Sequence, residues 1–187
     1  FMGPFWDGED TIMTLYNNLY SKGLYSDLWF MWDGKPVVIV ERASAERLPE
    51  HVKDFFTIRY HGPGYSAPPS GYDEWQWIQV YPQHGFSSSK NPDVIEQTTV
   101  SVAQNAVDGR LAYFSHPDSA GRSYHNGKQP GPDGQDYSGR NFAEQWERAL
   151  ELDPQFLFIT QWNEWVAMRL EEFWGWEAPV VFVDNFN

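Results

Sequence analysis

A chain of 187 residues is long enough to bury one core, and its lack of cysteine removes disulfides, thiolate metal sites and cysteine nucleophiles. Acidic residues outnumber basic ones by 26 to 13, a formal charge of -13, so the field repels a phosphate backbone and disfavours nucleic acid as a partner. No apolar run reaches the roughly 20 residues that span a bilayer, and no basic region followed by an apolar stretch opens the chain.

Taken in order, the elements alternate. Residues 9–22 carry Ile12, Leu15, Tyr16 and Leu19 at helical spacing, with Gly23 as a stop. The turn Asp33-Gly34-Lys35-Pro36 launches a strand at 37–40; a second helix is expected at 45–55 and a second strand at 56–60. Residues 77–80, 98–103 and 156–160 read as three more strands, the last following a helix at 141–152, and 180–183 makes a sixth. Two stretches, 61–73 and 115–139, are rich in Gly and Pro and read as long loops, the second as a lid or rim over a site. Strands interleaved with helices predict a parallel sheet, and an α/β fold of the (β/α)-barrel type. A closed barrel needs eight strands. Six are visible, and residues 1–8 read as a loop that has lost its strand, so a single domain spanning 1–187 is expected, as part of a larger barrel.

In such a barrel the residues just past each strand share one rim. Here these are Glu41-Arg42, Arg59-Tyr60-His61, Tyr81 to His84, Gln104-Asn105, Trp162-Asn163-Glu164 and Asp184-Asn185. They are the hydrogen-bonding types that a polyhydroxyl ligand requires. Aromatic residues make up 18% of the chain, more than a core ordinarily uses, and the apolar faces of sugar rings match indole and phenol planes. The five histidines match no helical metal pair and no phosphate-cradling glycine run occurs, so neither a metal nor a cofactor is expected.

The run Phe156 to Trp165, FLFITQWNEW, takes an apolar strand straight into a carboxylate framed by two indoles. Desolvation beside Trp162 and Trp165 would raise the pKa of Glu164, which suits a general acid. This run, together with Asp33-Gly34-Lys35-Pro36, resembles the glycoside hydrolase family 99-like group, which includes endo-alpha-mannosidases and WbsX-like bacterial proteins. The resemblance implies a TIM-barrel glycosidase, with Asn163-Glu164-Trp165 as the strand-end signature and export to a periplasm or the medium as the expected compartment. One position departs: the mannosidases carry a second Glu three residues on, where this chain has Ala167. Asp184 is the first substitute for the missing carboxylate; Glu41 is the second, with Glu171 and Glu172 farther along the loop. The expected function is hydrolysis of a glycan, with Glu164 and Asp184 catalytic and Trp162, Asn163, Trp165, Tyr60, Tyr81, Gln83, His84 and Gln104 binding substrate. The competing expectation is a glycan-binding protein on a degenerate barrel.

Overall fold

The structure, a computed structural model, describes residues 7–62, 64, 66–104, 106–113, 116, 118–134, 136, 138–161, 169–173 and 175–182. The chain divides into two compact units, one of Phe1–His61 with Asp73–Trp75, the other of Gly62–Tyr72 with Gln76–Asn187.

The first unit is built on a four-stranded sheet, β1 (Met31–Trp32), β2 (Lys35–Val40), β3 (Thr57–His61) and β4 (Glu74–Trp75), in that order. β1 and β2 form a hairpin whose turn residues Asp33 and Gly34 lie at φ 53 and 80, the paired left-handed conformation that a two-residue turn needs. β2, β3 and β4 run parallel. Val38 and Val40 point to a core shared with Ile12, Tyr20, Ala45, Leu48, Val52 and Phe56. Helix α1 (Gly8–Leu15) reaches the sheet closely at Gly8: a Cβ there would sit 2.7 Å from Val40 Cγ2. The helix expected at 9–22 is present, but its last turn widens to a π-helix at Tyr16–Tyr20 before Gly23 ends it at φ 64.

The helix expected at 45–55 is two helices, α2 (Arg42–Arg47) and α3 (Glu50–Lys53). The break has a local cause. Pro49 has no N–H to donate and disfavours the helical region for the residue before it, and Leu48 is extended at ψ 141.

Among its described residues the second unit holds three small sheets. β5 (Phe86–Ser88) pairs antiparallel with β6 (Asn91–Ser101), and β6 pairs parallel with β9 (Phe156–Thr160) from Gln97↔Phe156 to Ser101↔Thr160. Helix α4 (Arg140–Leu152) precedes β9 and packs on β6. β7 (Ala106–Val107) and β8 (Arg110–Leu111) form one hairpin, β10 (Arg169–Phe173) and β11 (Trp176–Phe182) another.

The barrel expectation is therefore corrected: the described residues form four small sheets, two of them mixed and two antiparallel hairpins, and no closed barrel. Two particulars explain the difference. Residues 180–182 of the strand expected at 180–183 are the end of β11, which lies antiparallel to β10 across the Gly175 turn, so among the described residues it adds no parallel strand. Residues 77–80, expected as a strand, are irregular. Their backbone groups are met by side chains instead of a ladder: Thr99 Oγ1 donates to the Trp77 carbonyl at 2.8 Å, and Gln145 Nε2 to the Gln79 carbonyl at 2.8 Å. A short, mostly apolar run suits both outcomes.

Among the described residues no helix is long and apolar enough to cross a membrane.

Candidate functional site

The second unit has an amide-rich interior. Gln97 exchanges two hydrogen bonds with the backbone of Gln76, accepting from its N–H at 2.9 Å and donating Nε2 to its carbonyl at 2.9 Å. Gln83 is fully buried and donates Nε2 to the carbonyls of Thr99 and Gln145, both at 3.0 Å. Gln104, also fully buried, donates to the Gln79 carbonyl and to Ser101 Oγ. These side chains cross-link β6, α4 and residues 76–83, which turns the irregular segment into a fixed wall.

Beside that wall opens a cleft of about 580 Å³, within the ordinary size of a small-ligand site. Tyr81 lines it, as do Asp108, Asp118, Tyr124, Lys128 and Gln129. Two tight turns shape its rim. Asp108 and Gly109, at φ 50 and 72, join β7 to β8; Asn126 and Gly127, at φ 53 and 74, join His125 to Lys128, whose backbones bond each other at 3.0 and 3.1 Å. Gln129 Oε1 accepts the Gly121 N–H at 2.9 Å, so its NH2 group is the part left to meet a ligand.

Behind the second turn lies Glu144 of α4, with a side chain 5% exposed. Its Oε1 accepts the Asn126 N–H at 2.9 Å and lies 3.2 Å from His125 Nδ1, an ion-pair distance without hydrogen-bond alignment. Its Oε2 is buried with no hydrogen-bond partner among the described residues. Burial, and then the Glu144 charge, push the Tyr124 phenol above its usual pKa. The cleft therefore gathers two tyrosines, two aspartates, a lysine and a glutamine, a mixed set of hydrogen-bond donors and acceptors.

The sequence-derived site residues are placed as follows. Tyr81 lines the cleft. Gln83 and Gln104 hold the wall behind it, with their amides committed to neighbours. His84 is half-buried; its N–H donates to Gln79 Oε1 at 2.7 Å, its carbonyl accepts from Thr98 Oγ1 at 2.8 Å, and its Nδ1 is buried with no hydrogen-bond partner among the described residues. Tyr60 belongs to the first unit, on β3, where the Arg42 guanidinium covers its ring at 3.9 Å and itself lies 3.7 Å from the buried Glu74. Trp162, Asn163, Glu164, Trp165 and Asp184 lie outside the described residues, and so does Asn105. β9 ends at Thr160, and Gln161 leaves it at φ 56.

Asp108, Asp118, Tyr124, Lys128, Gln129 and Glu144 were not picked out by sequence reasoning, although the expected rim loop at 115–139 contains four of them. Asp108-Gly109 and Asn126-Gly127 were the available signals, since such dipeptides mark tight turns that aim their neighbours. Among the described residues no group of three or more His, Cys, Asp or Glu could hold a metal ion. Comparison with protein-family models, with curated proteins and with solved structures returns no match.

Proposed function

We propose that this protein is a glycoside hydrolase acting on a glycan, with the ligand seated in the cleft of the second unit. The observation that carries the reading is the cleft itself: Tyr81 and Tyr124 with Asp108, Asp118, Lys128 and Gln129 around about 580 Å³. Planar rings beside a mixed set of donors and acceptors suit pyranose units, which have apolar faces and a hydroxyl rim. Glu164, three residues past the Gln161 turn at the end of β9, is proposed as the acid/base group and Asp184 as its partner. In this chemistry one carboxyl group protonates the leaving glycosidic oxygen while the other attacks the anomeric carbon or activates water to do so.

The test is reducing-sugar release from a panel of oligo- and polysaccharides. Glu164→Gln is expected to lower kcat by about 10²–10⁴-fold with unchanged thermal stability, since Gln is isosteric and keeps an acceptor. Asp184→Asn is expected to lower it comparably or more. Wild-type turnover in Glu164→Gln would overturn the assignment. Wild-type protein that binds saccharides and cleaves none would make it a glycan-binding protein instead.

A further inference from the structure

Tyr124 is a cleft residue whose phenol feels a buried carboxylate, Glu144, that the proposed hydrolysis does not use. Its N–H donates to the Gly121 carbonyl at 3.1 Å, and Gly121 in turn donates to Gln129, so the phenol is anchored to the segment that supplies the amide. The next residues make the left-handed turn at Asn126 and Gly127, and that turn is pinned from behind by Glu144, which is held on the buried face of α4 with Asn141, Gln145 and Ala149. A carboxylate taken out of water for one backbone N–H and one imidazole contact is costly to keep. What it gains is position: the Asn126 N–H bond fixes the turn, and the turn fixes Tyr124 on one side and Lys128 and Gln129 on the other.

We propose that Tyr124 is the hydrogen-bond donor that the cleft presents to a saccharide oxygen, and that Glu144 is the positioning residue that holds this donor in place through the Asn126 turn. The proposal rests on the glycan reading above and narrows it to one contact. A phenol donates only while protonated, and burial first, then the negative charge of Glu144, oppose the ionisation of Tyr124. Among the described residues, the other charged and titratable groups of this region are His125 beside Glu144, Arg122 two residues before Tyr124, and Asp108, Asp118 and Lys128 on the cleft.

Two measurements test it. The first is calorimetric titration of the wild type, Tyr124→Phe and Glu144→Gln with cellotriose, mannotriose and xylotriose. Tyr124→Phe is expected to weaken the Kd of whichever saccharide binds by about fivefold to tenfold, the scale of one hydrogen bond, with the melting temperature unchanged. The second is alkaline titration of the Tyr124 phenolate, read as the ultraviolet difference between each protein and its Tyr124→Phe counterpart. Glu144→Gln, which keeps an acceptor for Asn126, is expected to move both the phenolate titration and the alkaline limb of saccharide affinity to lower pH, and to do so equally in a Lys128→Gln background. A Glu144 whose charge does not reach the Tyr124 phenol would leave both limbs where they are, and that result overturns the proposal. So does wild-type saccharide binding that Tyr124→Phe leaves intact, in which case the glycan reading stands. Wild-type protein that binds none of the three saccharides removes the glycan reading and this inference with it.

Discussion

Gln97 shows how much one side chain can carry in this protein. Its amide replaces two ladder bonds that residues 76–80 do not make, and it is fully buried, so no water can take over if it is lost. Gln97→Leu would strand a buried N–H and a buried carbonyl on Gln76 at about 1–3 kcal/mol each. The expected outcome is a loss of roughly 3 kcal/mol by urea denaturation, against a small effect at an exposed position such as Asp93 of the same strand. Gly8 is the corresponding point in the first unit. A methyl group placed 2.7 Å from Val40 Cγ2 must displace a buried valine, so Gly8→Ala should cost about 1–3 kcal/mol although helix propensity favours alanine. If the melting temperature rises instead, the close approach of α1 to β2 is not as described.

At the scale of elements, the turns are the most sequence-specific parts. Gly34 lies at φ 80, where a Cβ is strained, so Gly34→Val should weaken the β1–β2 hairpin by about 1 kcal/mol or more, visible as faster amide exchange at Val37, whose N–H bonds the Phe30 carbonyl. The start of α4 should respond to pH. Hydrogen bonds from Ser138, followed by one from Arg140 Nε at 2.6 Å and the Arg140 charge, hold the Asp136 carboxyl below its usual pKa. A carboxyl depressed in the folded state contributes stability that is present above its unfolded pKa and is lost as pH falls through the lower folded value. Acid below the ordinary carboxylate range should therefore loosen the Ser138 amide and the Arg140 side chain, measured by exchange or by the Arg Nε–H resonance. Asp136→Asn should abolish that pH dependence while leaving the neutral-pH structure in place.

The whole molecule is governed by its excess of carboxylates. With a formal charge of -13 and a sequence pI near 4.6, like charges repel across the surface at neutral pH. Added salt should raise the melting temperature by screening, and solubility should fall to a minimum as pH approaches the pI. A melting temperature that drops steadily with salt would mean that local pairs such as Arg47–Glu9 and Arg59–Asp33 outweigh the net repulsion. The same field bears on ligands, since a saccharide without charge approaches the cleft unopposed whereas a polyphosphate does not.

Much of the local structure was legible in the sequence, because it depends on neighbours along the chain. The apolar runs at 37–40 and 156–160 are strands, the periodic segment ahead of β9 is helix α4, and Asp33-Gly34 is a tight turn. Pro49 is equally legible as a helix break, since it has no N–H to donate. Strand direction was not legible: an apolar run at 180–183 looks the same whether it closes a parallel barrel or folds back on β10, and only the pairing partner decides. The cleft was visible only in part. Tyr81 was reached as a residue following an apolar run, whereas Gln83 and Gln104 look identical in sequence to ligand-binding amides and are instead buried against backbone carbonyls. Tyr124 and Glu144 are twenty residues apart and owe their connection to a helix packed behind a turn. Composition determined the charge, the absence of thiol chemistry and the abundance of rings; tertiary structure alone decided which rings face a cavity and which amides are committed within the core, because burial depends on contacts that sequence separation does not encode.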